Sequence, residues 1–497
     1  MAPQSSNRIQ HVVVLMLENR SFDHFFGFSE PPAGQKIEGL RTGETHFNLL
    51  DPSKPQSASN PRVPVGHAAP DAVHDKMGPP HSFHAVSTQL CNQSSGPDAT
   101  HPVNNGGFVR AYNEDLARRH GDQTKVSEVM QSFQSDQPPA IHQLASEFCL
   151  CDHWFCEVPG PTMPNRMYVH AATSEGYVHN DFSREFKSKT VYELLEDKHL
   201  SWTTYFHDLN EVLQFNKLTK SKQHFRRFDE QWATDVGAGN LANYSFILPR
   251  FMNKRATQKA PASMANSQHA PEDVRFGEHL IADIYDALAA NPAVWNQTLL
   301  VVTYDEHGGF YDHIAPPSPA PNPDGLNSPN PDDTANFTPP AFAFDRLGLR
   351  VPTVLASPWI AKGIVEHQNL QHTSIIRTVA ELFGLSGPLN HRDASAESFA
   401  DLLSQRATPR AASDMPKTLH RPPLAPIKKS SAAGVPIEPA DEPLDDLTTE
   451  WVRGIAILTA RRQGGAELAA AVAAAPPTTQ GDASEFVERQ LRETFGI

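Results

Sequence analysis

Two segments of the chain concentrate residue types that hold hard cations. ENRSFDHFFG, residues 18–27, opens with Glu18 and Asn19, and DEHGGFYDH, residues 305–313, opens with Asp305 and Glu306. Carboxylate and amide oxygens are the ligands that divalent cations such as Mg2+, Ca2+ and Mn2+ accept. Either segment alone is as well explained by acids capping the helix or loop that follows. Two such segments, each following an apolar run and each carrying His and Gly, argue for a shared metal site. A third segment, VPGPTMPNR, residues 158–166, holds the Thr162 hydroxyl between Pro161 and Pro164, with Asn165 and Arg166 next. The prolines fix φ and make the turn rigid. A threonine hydroxyl is a weak nucleophile unless a metal or base lowers its pKa, so Thr162 has a chemical role only if it lies beside the acids; otherwise the segment is just a turn. His269 in SQHAPEDV, His372 in QHTS, and His81 and His84 in HSFH are candidates for moving protons near neutral pH. Taken singly, each is more often a core or surface histidine.

Strands must deliver these segments to one place. Residues 12–17 (VVVLML), 299–304 (LLVVTY) and 351–356 (VPTVLA) are aliphatic and β-branched without alternation, the pattern of strands buried on both faces of a parallel sheet. Both acidic segments begin where such a run ends, and open α/β sheets place their sites at the carboxyl ends of strands. Helical periodicity predicts helices over 190–198, over 276–290 with Leu280, Ile284 and Leu288 on one face, and over 373–383. The alternation makes a three-layer α/β fold. Residues 51–80 and 316–340, dense in Pro, Asn, Ser and Asp, read as long surface loops. After about residue 406 the composition shifts to Pro and Ala. We expect a catalytic domain over 1–406 and, over 407–497, a linker at 416–443 followed by a small helical appendage. Its helices are predicted at 447–462 and 484–495, around an Ala-rich stretch. Trp451, Ile455 and Leu458 form a stripe that either packs on the catalytic domain or touches lipid.

Composition narrows the function classes. The 497 residues carry 42 Lys and Arg against 57 Asp and Glu, a net charge of −15, which argues against a nucleic-acid partner bound through its phosphates. With 39% apolar and 8% aromatic residues the chain can bury a sizeable core, and its 24 histidines lean towards an enzyme. No apolar run approaches the length of a membrane span, and the N-terminus does not read as a secretion signal, so a cytoplasmic location with peripheral membrane contact is expected. Three of the four cysteines crowd into CLCDHWFC, residues 149–156. They are either apolar residues of a strand or, with His153, zinc ligands. Oligomeric state is left open.

ENRSFDH, GPTMPNR, the HAPED stretch, TYDEHGGFYDH, and RVPTVLASPW followed by QHTS together resemble the phosphoesterase family of bacterial and plant phospholipases C and acid phosphatases. The likeness covers residues 9–393. HSF at 81–83, NGGFVRAY, TMPNRMYVHAATSEG and FDRLGLRVPT are most similar to the plant-type non-specific phospholipases C. The resemblance implies an alkaline-phosphatase-like fold with a central mixed sheet between helices. It implies one divalent metal ion held by Glu18, Asn19, Asp305, Glu306 and Thr162, with Thr162 the nucleophile. It also implies His269 or His372 as the proton donor, and His81, His307, Asn165 and Arg166 about the substrate. The implied reaction is cleavage of phosphatidylcholine or phosphatidylethanolamine to diacylglycerol and the phosphorylated headgroup through a phosphothreonine. An acid phosphatase acting on monoesters is the alternative, and a non-catalytic lipid-binding protein the alternative of another class. Phe25, Phe26, Phe310 and Tyr311 flank the acidic motifs as either core or a headgroup cage. Two departures stand out: Glu272 replaces a second histidine of the relatives, and the region after 393 shows no paired β-domains.

Overall fold

The structure is a computed structural model that describes residues 8–40, 45–69, 78–135, 137–257, 262–328, 342–424, 439–463 and 477–497. Half of the predicted 416–443 linker, the Ala-rich stretch of the appendage, and parts of the predicted 51–80 and 316–340 loops lie outside the described residues.

Eight strands form the central sheet: β1 (His11–Leu17), β2 (Cys149–Cys151), β3 (Trp202–Phe206), β4 (Phe225–Arg227), β5 (Tyr244–Ile247), β6 (Thr298–Tyr304), β7 (Thr353–Ala356) and β8 (Ile364–Glu366), in the spatial order β8-β2-β7-β6-β1-β5-β3-β4. The β6-β1-β5-β3-β4 portion is parallel. β7 runs antiparallel to both β6 and β2, so the sheet is mixed. The third apolar run therefore does not point its carboxyl end towards the acidic segments. Nothing in an aliphatic run encodes its direction, because both orientations bury the same side chains.

β1 lies at the centre because its side chains alternate between faces and all but His11 are fully buried, which needs cover on both sides. Burying each Val or Leu there contributes about 1.5–3 kcal/mol. Helices supply the cover: Pro139–Glu147, Phe228–Ala238 and Val274–Ala290 pack together, as do Thr162–Ala171, Val191–Glu196 and His372–Phe383. The predicted helices at 190–198, 276–290 and 373–383 are all present with slightly different bounds.

The register of β1 on β6 does the positioning. His11 pairs with Thr298 and Leu17 with Tyr304, so Glu18 and Asp305 leave neighbouring parallel strands at the same level. Asp305 N–H donates to Leu17 O at 3.1 Å, carrying the ladder one step further.

The C-terminal helices, Asp446–Gln463 and Gln480–Gln490, join the main hydrophobic core. Trp451 stacks on Phe182 at 3.8 Å between ring centroids and meets Phe251 at 5.6 Å. Ile455 and Leu458 are buried, so the stripe faces the protein. Among the described residues no helix is long and apolar enough to cross a membrane. All four cysteines are buried free thiols, and Cys149 and Cys151 sit on β2.

Candidate active site

The two acidic segments interlock just beyond the strand ends. Asn19 adopts φ +58°, and its N–H donates to Asp305 Oδ1 at 3.0 Å, an oxygen that also accepts Glu306 N–H at 2.7 Å. Arg20 N–H donates to Glu306 O at 3.0 Å. Gly308, at φ +66°, passes so close to Asn19 that a Cβ there would lie 2.0 Å from the Asn19 carbonyl oxygen; only glycine allows this approach. Glu18 N–H donates to Ser267 O at 2.9 Å, which draws in the segment carrying His269.

Thr162 is the first residue of the helix Thr162–Ala171, after Pro161 in extended conformation, and is fully buried. Its hydroxyl donates to Asn19 Oδ1 at 3.4 Å. The turn before it is held by Asn165, whose amide donates to the carbonyls of Val158, Gly160 and Pro161 and accepts Val158 N–H at 2.9 Å. Asn165 is thus spent on the geometry of its own loop. Arg166, one residue on, reaches Glu18 at 3.4 Å and Asp305 at 3.6 Å through Nη1, and Glu211 at 3.0 Å through Nε.

Charge is left over. Glu18 Oε1 and Oε2, Asp305 Oδ2 and Glu306 Oε1 are buried without a hydrogen-bond partner. Burial, then the Asp305 charge, pushes the Glu18 carboxyl well above the usual carboxylate range. Burial pushes Asp305 up to about 8 against the pull of Arg166, and Glu306 up to about 7. One guanidinium does not compensate three buried carboxyls, and partnerless buried acids are costly. Orphaned hard oxygens beside the Asn19 amide and the Thr162 hydroxyl fit a divalent cation. Among the described residues, the His, Cys, Asp and Glu triads whose ligand atoms lie within 4.8 Å of one another are elsewhere, at Asp23/Asp312/His313 and Asp152/His153/His367. A cation at Glu18, Asp305 and Glu306 would therefore also need the amide and hydroxyl oxygens.

The histidines divide by what their ring nitrogens do. His81 Nε2 lies 3.3 Å from Asn19 Nδ2, and its ring stands edge-on to that of His269 with centroids 5.8 Å apart. His269 is buried with neither nitrogen bonded, and burial, then Arg20, lowers it to about 4. His307 Nε2 pairs with Gln89 Oε1 at 2.8 Å, and Gln89 Nε2 donates to Pro80 O at 2.8 Å, so the ring donates through Nε2, while burial lowers its pKa to about 3. His372 accepts the Trp154 indole N–H at 3.2 Å on Nδ1 and bonds Asp305 O at 2.7 Å through Nε2. Both His372 nitrogens are occupied, so its ring braces the Asp305 backbone. His84 turns to Ser94 O at 3.2 Å.

A scan against protein-family models matches residues 9–386 to the Phosphoesterase family. The chain belongs to the phosphoesterase family. It is 36% identical over 439 residues to non-specific phospholipase C6 of Arabidopsis thaliana, covering 86% of this chain and 77% of the relative. It is 29% identical over 422 residues to phospholipase C B of Mycobacterium tuberculosis, covering 76% and 74%. A solved structure of an alkaline phosphatase superfamily protein from Vibrio parahaemolyticus matches with TM-score 0.31 at 12% identity, over 52% of this chain and 64% of that one. As a phosphoesterase with such relatives, the protein is a phosphoric ester hydrolase.

Several residues of this phosphoesterase site escaped sequence reasoning. Glu211, which anchors Arg166, lies 45 positions away in an unremarkable helical turn. Gln89 and Trp154, which fix His307 and His372, likewise carry no local signal. Arg20 sits inside the first acidic segment, and its Nε donates to Gln268 O at 2.7 Å. Glu272 accepts the Ser267 hydroxyl at 2.7 Å, and that hydroxyl in turn accepts His269 N–H at 3.2 Å. Phe25, Phe26, Phe310 and Tyr311 are buried in aromatic contacts with one another's neighbours, such as the stack of Phe310 on His24 at 4.1 Å, and belong to the core.

Proposed function

We propose that this phosphoesterase is a phospholipase C that cleaves phosphatidylcholine and phosphatidylethanolamine on the glycerol side of phosphorus, with Thr162 as nucleophile. The observation that carries the reading is the Thr162 hydroxyl. It is buried at the start of a helix and bonded to Asn19, which is next in sequence to Glu18 and bonds Asp305, acids that keep oxygens without a hydrogen-bond partner. The relatives named phospholipase C support the substrate class.

Glu18, Asn19, Asp305, Glu306 and Thr162 would hold one divalent cation, which when bound would lower the hydroxyl pKa and neutralise charge on the phosphate oxygens. The Thr162 hydroxyl gives its proton to His269, its oxygen attacks phosphorus in line, the bond to the glycerol oxygen breaks, and diacylglycerol leaves. The positive end of the helix Thr162–Ala171 favours the phosphate oxygens beside it. The leaving glycerol oxygen takes from His269 the proton that Thr162 gave up; two nitrogens without hydrogen-bond partners distinguish His269 from His372. Water then releases the headgroup phosphate from Thr162, giving a proton to His269, which returns it to the Thr162 oxygen. Arg166 stays ionised between Glu18, Asp305 and Glu211 and holds the acids in place. His307 and His372, both held neutral by burial, fix the loop and the Asp305 backbone.

The test offers purified protein phosphatidylcholine, phosphatidylethanolamine and p-nitrophenyl phosphate in parallel, with and without chelator. Intact-mass analysis of acid-quenched reactions follows phosphate on Thr162. Chelator-sensitive release of diacylglycerol with a phosphorylated Thr162 peptide is the expected result. Turnover of the monoester alone would replace the phospholipase reading with a phosphatase.

A further inference from the structure

A second constellation of metal-ligating side chains lies at the ends of two other strands. β2 and β8 are parallel with Cys151 opposite Glu366, so residues 152–153 and 367 leave the sheet side by side. Asp152 N–H donates to Glu366 O at 3.1 Å and extends the ladder by one step. The Asp152 side chain is fully buried and accepts from His153 Nδ1 at 2.8 Å, from His367 Nδ1 at 2.9 Å, and from Glu38 N–H at 2.9 Å. The side chains of His153 and His367 are 24% and 50% exposed. One ligand atom from each of the three residues lies within 4.8 Å of the others.

We propose that Asp152, His153 and His367 form a binding site for a zinc-class divalent cation, separate from the Thr162 pocket. Two imidazoles and one carboxylate are a nitrogen-rich set that suits Zn2+, Co2+ or Ni2+ over Mg2+ or Ca2+. Around a tetrahedral ion with bonds of about 2.1 Å, ligand atoms stand about 3.4 Å apart. The Asp152–imidazole distances, 2.8 and 2.9 Å, must open by about 0.5 Å to admit the ion, and the half-exposed His367 has room to swing outward. On binding, the ion takes the place of the Nδ1 protons that the two rings now offer to Asp152, and each neutral ring keeps its one proton on Nε2, a tautomer shift carried by solvent. Asp152 is already oriented by the Glu38 N–H, as metal-binding carboxylates are by their outer partners. The exposed face of the imidazoles gives an entry path and room for water as a fourth ligand.

Such an ion would also act as a strap. His153 O accepts Leu370 N–H at 2.8 Å, and the neighbouring Trp154 holds His372, so joining His153 to His367 ties down both ends of the short segment before His372. The proposal does not depend on the reaction catalysed.

Full-length protein and the variants His367→Ala and His153→Gln are stripped with chelator, equilibrated with ZnCl2 by dialysis, and assayed for zinc per chain by plasma mass spectrometry. The wild type should hold one zinc more than either variant. Zinc should raise its melting temperature by several degrees more than that of either variant, and Mg2+ should not reproduce this difference. His153→Gln serves as the second variant should His367→Ala fold poorly, and circular dichroism checks both. Equal zinc content in wild type and folded variants, or an equal thermal shift in all three, overturns the site.

Discussion

The same two sequence segments build two buried carboxylate clusters with opposite fates. Asp23 and Asp312, at the far ends of ENRSFDH and DEHGGFYDH, meet Arg350 and His313. Arg350 donates to Asp23 Oδ1 at 3.0 Å and to Asp312 Oδ1 at 2.9 Å, while His313 Nδ1 bonds Asp23 Oδ2 at 2.7 Å. Burial pushes both acids up; at Asp23 Arg350 and His313 outweigh it and hold the carboxyl below the ordinary range, while at Asp312 burial outweighs Arg350 and the carboxyl stays raised although its oxygens are paired. At the near ends, Glu18, Asp305 and Glu306 keep oxygens without partners, and their carboxyls are pushed upward. The first cluster is complete within the chain and clasps the two segments together. The second is complete only with something from outside. Buried polar groups are normally satisfied, and several carboxylate oxygens orphaned together, beside an amide and a hydroxyl, suit a cation.

The largest expected effect tests the incomplete cluster. Thr162→Ala should lower turnover by at least about a thousandfold, since nucleophile loss removes the covalent route. Thr162→Ser should keep part of the rate. An alanine variant retaining a tenth of wild-type turnover would remove Thr162 from the role of nucleophile.

The complete cluster should fail through stability. Arg350→Met leaves two buried carboxylates uncompensated, at a cost of about 3–5 kcal/mol. Urea denaturation of the metal-free protein reads this directly, and a loss below about 1 kcal/mol would mean that the clasp is not set by that charge pairing.

Glu18→Gln and Asp305→Asn should act in the opposite direction. Removing one acid from the uncompensated set raises the metal-free melting temperature, by a stability gain on the order of 1 kcal/mol, and weakens metal affinity. Calorimetry of chelated wild type and variants checks the sign; a lower melting temperature in either variant would argue against crowded, uncompensated acids.

The smallest effect concerns His313, whose pKa is raised because bonding to Asp23 outweighs the lowering by burial. A histidine with a raised folded-state pKa contributes stability that is full below its unfolded value of about 6.5 and fades as pH rises through the folded value. The stability gap between wild type and His313→Gln should therefore be wider at pH 6 than at pH 8.5. A gap independent of pH would show that His313 acts as a neutral hydrogen bonder.

What the residues alone determined is considerable, and it is local. The runs VVVLML and LLVVTY specify buried strands through side-chain chemistry, and the acids after them are at strand ends by adjacency. The motif residues also suffice to recognise the phosphoesterase family. Helix periodicity placed the covering layers for the same reason, because the stripe of Leu280, Ile284 and Leu288 is written in consecutive turns. Tertiary structure decided whatever depends on direction, register or distant partners. The antiparallel course of β7, the alignment of Leu17 with Tyr304, and the inward face of Trp451 are pairings between segments far apart in the chain. The division of labour among the histidines was settled the same way. His372 is bound on both nitrogens by Trp154 and the Asp305 backbone, while His269 is bound on neither. A side chain's role follows from which polar atoms remain unpaired after folding, and that is a property of the packed chain.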